Sequence, residues 1–111
     1  MKLLSRRSVL RNALSGMAVL PLLAVQARAA THQVTIQNMA FSPADLVIAA
    51  GDTVVFTNAD SAPHTATADS GAFDTGRLGN GESAQLTFAD SGTFTYFCAF
   101  HRSMKGSITV G

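Results

Sequence analysis

Tyr96-Phe97-Cys98-Ala99-Phe100-His101-Arg102-Ser103-Met104-Lys105-Gly106 reads as the end of one strand, a turn and the start of another. Within it Cys98, His101 and Met104 fall in the spacing C-x2-H-x2-M, so a single tight loop can aim a thiolate, an imidazole and a thioether at one point. These are soft or borderline donors. Two His and one Cys in a trigonal plane with a weak axial Met form the donor set of an electron-transfer copper centre. The loop holds one His, so a second must come from elsewhere. His64, directly after Pro63, is the candidate.

Upstream of the loop, Thr93 to Cys98 alternates Phe94, Tyr96 and Cys98 on one face against Thr95 and Phe97 on the other, the period of a strand with one side buried. The Cys98 sulfur is therefore expected to point into the protein, with His101 and Met104 on the turn into a last strand, Met104 to Val110. The rest of the chain after residue 30 has the same texture. Val34 and Ile36 alternate with Thr35 and Gln37, Ser42-Pro43 breaks the run, and Leu46-Val47-Ile48 begins another. Gly51-Asp52 turns into Thr53 to Thr57, and Asn58 to Pro63 is too rich in turn formers to continue a central strand. His64 thus lies at a loop end, before an extended run at Thr65-Ala66-Thr67. Turns at Ser70-Gly71 and from Gly76 to Gly81 lead to Glu82 through Phe88. Seven or so short strands at about ten-residue spacing predict an all-β sandwich of two antiparallel sheets with Greek-key connections.

The first 29 residues read differently. Arg6-Arg7 precedes an uncharged stretch from Asn12 to Gln26, and Ala27-Arg28-Ala29 is a small-x-small cleavage site. That is the three-part layout of an export signal, and the paired arginine points to the twin-arginine route. The apolar stretch is short of the ~20 residues of a membrane span, and Pro21 interrupts it. The expected division is therefore residues 1–29 as a cleaved signal and 30–111 as one domain, with a periplasmic destination and no stable membrane insertion. Cleavage would leave Arg77, Arg102 and Lys105 against seven acids, a net charge of −4. No basic face for phosphate backbones remains, which argues against nucleic acid as a partner. A domain this small commonly needs a disulfide or a metal, and Cys98 is the only cysteine.

From about Val34 to Val110 the chain resembles the cupredoxins, the type 1 blue copper proteins, and within them the amicyanin and plastocyanin branch, amicyanin above all. The resemblance rests on Met39-Ala40-Phe41-Ser42-Pro43, Gly51-Asp52-Thr53-Val54, Asn58 through Pro63-His64, Leu86-Thr87-Phe88, Gly92-Thr93-Phe94 and the short Cys98 loop. It implies His64, Cys98 and His101 as equatorial ligands of one copper ion and Met104 as the axial ligand. It implies further that Met39, Pro63 and Phe100 lie in an apolar docking patch beside His101, where a dehydrogenase-type donor and a cytochrome-type acceptor approach a monomeric carrier. Phe41 is expected in the core. Thr65 stands where the family commonly has an Asn that tethers the Cys loop, and its hydroxyl is able to take over that bond. Phe100 and Arg102 replace loop prolines, which frees the unfolded loop.

A periplasmic copper carrier or store with the same ligands is the alternative function, although a buried Cys98 in a rigid frame opposes ready exchange. Zinc is disfavoured by the thioether. Four protein donors leave no open position for a substrate, so no enzymatic activity is expected. His32 reads as a solvated residue near the domain's start, with room for weak adventitious copper binding.

Overall fold

The computed structural model describes residues 29–111; the arginine pair and apolar stretch of the expected signal lie outside the described residues. Eight strands follow in chain order: β1 (Thr31–Gln37), β2 (Ala40–Ser42), β3 (Asp45–Ile48), β4 (Thr53–Asn58), β5 (Thr67–Ala68), β6 (Ser83–Thr87), β7 (Gly92–Phe97) and β8 (Lys105–Val110). They form two four-stranded sheets, ordered β2-β1-β4-β6 and β3-β8-β7-β5. The all-β sandwich expected from the alternation is present.

Two details differ from that expectation. Ala40–Ser42 is a strand of its own, folding back on β1 through the two-residue turn Asn38-Met39, which brings the strands among the described residues to eight. The sheets are also not purely antiparallel, because β1 lies parallel to β4 and β3 parallel to β8. After β2 the chain crosses to the other sheet as β3 and returns as β4 beside β1, and such an excursion lets two strands of one sheet run the same way.

Inward positions follow the pleat. Val34 and Ile36 of β1, Val54 and Phe56 of β4, Tyr96 of β7, and Ile108 and Val110 of β8 are buried, and polar neighbours face out. Phe41 joins them, as expected, with its ring edge-on to Tyr96 at 4.7 Å. Phe56 also meets Tyr96 edge-on, at 5.5 Å, so the tyrosine ties the sheets together two residues before Cys98.

The β7–β8 hairpin sets the loop that follows. Tyr96 pairs with Gly106 and Phe97 with Lys105, and the Tyr96 ring lies so tightly over Gly106 that a β-carbon there would overlap its Cζ and Oη. At the far end of β1, Asp52 gathers three donors: the Ala30 N–H at 2.9 Å, His32 Nε2 at 2.9 Å and the Ala49 N–H at 3.0 Å. His32 is therefore not the freely solvated residue expected.

Gly106→Ala should lower stability by about 1–3 kcal/mol, the usual cost of overpacking, read from chemical denaturation. The Asp52 carboxyl is held down to about 2, first by the Ala30 N–H and then by His32 and Ala49. A carboxyl depressed on folding contributes stability that is complete above its unfolded value, near about 4, and is lost as pH falls toward the folded one. Melting temperatures measured across that acid range should fall less steeply in Asp52→Asn than in the parent.

Candidate metal centre

His64 reaches the site because the chain after β4 is tied down on both sides. Its N–H donates to the Leu78 carbonyl at 3.1 Å and its carbonyl accepts the Leu78 N–H at 2.8 Å, forming an isolated bridge to the long loop before β6. Asn58, buried at the end of β4, braces the turn between. Its amide donates to the carbonyls of Ala62 and Leu78, both at 2.8 Å, and its side-chain oxygen accepts the Asp60 N–H at 2.9 Å. The Asn58 to Pro63 segment read as a turn is thus a turn built around one internal amide.

The His64 ring is fully buried and both nitrogens are engaged. Nε2 lies 2.8 Å from Asp60 Oδ2 and Nδ1 lies 3.6 Å from Cys98 Sγ. The same Asp60 carboxylate accepts the N–H groups of Asn38 and Met39 at 2.8 and 3.0 Å. Those two residues have φ of 56° and 57°, the left-handed pair of a tight hairpin turn, which strains Met39 more than Asn38. The Met39 and Asn38 N–H groups hold the Asp60 carboxyl below its ordinary range, with His64 adding to the effect. A carboxylate on the outer nitrogen fixes the ring's orientation and leaves Nδ1 free to face the sulfur.

Cys98 follows the end of β7 and is completely buried. Its Sγ accepts the Thr65 N–H at 3.4 Å, which fixes where the sulfur points. The loop after it closes on itself. His101 N–H donates to the Cys98 carbonyl, Met104 N–H to the His101 carbonyl, and Cys98 N–H to the Met104 carbonyl, at 3.2, 2.9 and 3.1 Å. His101 is half-buried with Nδ1 3.9 Å from Cys98 Sγ, and Met104 is buried at the loop's end. The Thr65 hydroxyl accepts the Ala99 N–H at 2.8 Å, the tether foreseen for it in place of asparagine.

The structure thus brings together the residues singled out from the sequence. One donor atom each from His64, Cys98 and His101 lies within 4.8 Å of the others. Nitrogen and sulfur bonded to one ion at about 2.0–2.3 Å and 120° apart lie about 3.8 Å from each other. The observed 3.6 and 3.9 Å bracket that value, so each imidazole stands at the distance from the sulfur that a shared ion requires. With a thioether at Met104 the donor set fits copper better than zinc. Sequence reasoning missed Asp60 and Asn58. The available signal was a carboxylate four residues before His64, inside the same turn.

The match to the Cupredoxin-like domain family covers residues 11–110, and the chain belongs to that family. Among curated relatives, amicyanin-alpha of Methylorubrum extorquens is 31% identical over 105 residues, covering 89% of this chain and 88% of the relative. Plastocyanin of Physcomitrium patens is 33% identical over 85 residues, and there the match spans 65% of this chain but only 51% of the relative. Among solved structures, a purple cupredoxin from Nitrosopumilus maritimus superposes with a TM-score of 0.66 at 30% identity, covering 72% of this chain and 99% of that one. A Cu-containing nitrite reductase from Thermus scotoductus gives 0.69 at 32% identity, but 73% of this chain matches only 22% of that much longer one.

Replacing Asp60 with alanine frees the His64 ring and the Asn38-Met39 turn together. Cu(II) affinity, measured by competition with a chelator of known strength, should fall about 10- to 100-fold, the usual cost of removing a group that orients a ligand.

Proposed function

We propose that this chain is a small blue copper electron carrier, with His64, Cys98 and His101 as equatorial ligands of a type 1 copper and Met104 as the axial ligand. The observation that carries it is the buried Cys98 sulfur flanked by two imidazole nitrogens at 3.6 and 3.9 Å in a cage tied by backbone hydrogen bonds. When bound, copper supplies one-electron exchange between Cu(II) and Cu(I). The chain's part is to keep the donors still. His64 is clamped by Asp60, Cys98 by Thr65, and the Cys98–Met104 loop by its own three bonds, so little rearrangement accompanies a change of charge.

The half-buried His101 is the route by which an electron enters or leaves. Met39 and Phe100, which the family resemblance sets beside His101, are large exposed apolar residues, 45% and 50% accessible, and Ala62 and Pro63 of the turn before His64 are half-buried. That composition supports a docking surface for redox proteins, with a dehydrogenase-type donor and a cytochrome-type acceptor as partners. Arg102 stacks over Phe97 at 4.5 Å, and its positive charge beside the patch favours an acidic partner face. We assign residues 1–29 to a cleaved twin-arginine signal and the carrier to the periplasm. The small-x-small tripeptide Ala27-Arg28-Ala29 directly before the first described strand supports that division.

Adding Cu(II) to the purified domain should produce an intense visible thiolate-to-copper band that bleaches on reduction and is absent from Cys98→Ser. A colourless oxidised protein with copper bound would sink the assignment. Slow copper loss to a competing chelator in both oxidation states is expected of a carrier of electrons, and fast loss of a carrier of copper.

A further inference from the structure

A second group of donors lies at the opposite end of β1. Asp52 is buried, its side chain 9% accessible, with Oδ1 2.9 Å from the backbone nitrogen of Ala30 and Oδ2 2.9 Å from His32 Nε2. In the full-length chain the Ala30 nitrogen is a peptide N–H and offers no lone pair. Cleavage after Ala29 turns that same atom into an α-amine. Ala29 and Ala30 are exposed and precede the first residue of β1.

We propose that the processed N-terminus is a second Cu(II) site, made by the α-amine of Ala30, the imidazole of His32 and the carboxylate of Asp52. It rests on the cleavage assignment made above. The Ala30 nitrogen lies 2.9 Å from Oδ1 and His32 Nε2 lies 2.9 Å from Oδ2, so one carboxylate already has a nitrogen donor beside each of its oxygens, close to the about 3 Å that separates cis donors bonded at about 2.0–2.2 Å to one ion. Nitrogen and oxygen donors in that geometry favour Cu(II), whereas the sulfur-rich cage at the other end also accepts Cu(I). The Ala49 N–H on Oδ2 and the Thr53 N–H on the Ala30 carbonyl, both at 3.0 Å, hold the carboxylate and the terminus in register before any metal arrives. Binding releases the protons carried by the α-ammonium, and by the imidazole where it is charged, to solvent. From His32 to Gln37 the strand advances about 17 Å, so the two sites share no ligand.

The test uses the domain prepared to begin at Ala30, titrated with Cu(II) and followed by electron paramagnetic resonance and visible absorption. Two equivalents should bind, the second with an ordinary tetragonal signal and no added thiolate band. His32→Gln, and separately a chain that keeps Ala29, should retain the first equivalent and its colour and lose the second. Asp52→Asn should weaken the second about 10- to 100-fold. Should that variant fail to fold, the other two leave the carboxylate in place and carry the test. A stoichiometry of one, or a second equivalent indifferent to His32→Gln or to the retained Ala29, overturns the site. The mass of the exported protein checks the cleavage on its own. A terminus at Ala30 supports the proposal, and any other terminus overturns it through the cleavage assignment while the titration still reports on the ligands.

Discussion

Everything in this molecule depends on Thr65 reaching across from one sheet's connection to the other sheet's strand. Its N–H donates to the Cys98 sulfur and its hydroxyl accepts the Ala99 N–H, so a single residue fixes both the donor atom and the backbone that leads away from it. His64 is its immediate neighbour. The separation between the buried imidazole and the buried sulfur is therefore tied through one peptide unit, just ahead of the pairing of Thr67 with Phe97 that joins the same two segments.

The clasp is backed by a chain of polar contacts that runs outward to the surface. Asn58 shapes the turn, the turn presents Asp60, and Asp60 grips both the His64 ring and the strained Asn38-Met39 hairpin. Burying this much polarity is tolerable because each group finds a partner, whereas a half-satisfied set would cost more than an apolar core. Tyr96 is the exception among the described side chains, its hydroxyl enclosed without a partner. Enclosure and the negative charge of Asp45 push that phenol well above its ordinary range, so it remains neutral. What the tyrosine contributes is its ring, packed edge-on with both Phe41 and Phe56.

Much of this was legible in the residues themselves. The period-two alternation of Phe94, Tyr96 and Cys98 is a local consequence of the pleat, and it told which way the sulfur points. The C-x2-H-x2-M spacing is likewise local, as is the turn chemistry that puts His64 at a loop end. The parallel pairings were not legible, because register between β1 and β4 is decided by where the chain goes after it leaves a sheet. Ala40–Ser42 is too short for a period to show, and it is a strand only because β1 lies beside it. Asp60 and Asn58 were hidden for a different reason. Both look like ordinary turn formers, and only their long-range partners, the His64 ring and the Leu78 carbonyl, reveal that the turn is shaped around the site.

Because Tyr96 occupies the volume above Gly106, the final two strands have a single way to lie together. Sliding β8 by one residue would put Lys105 or Ser107 beneath the ring, and neither side chain has room there. The hairpin consequently cannot lend residues to the bend at its tip or take any back. The seven positions from Cys98 to Met104 form a segment of constant length, and a missing carbon atom on the last strand serves as the gauge that keeps it so.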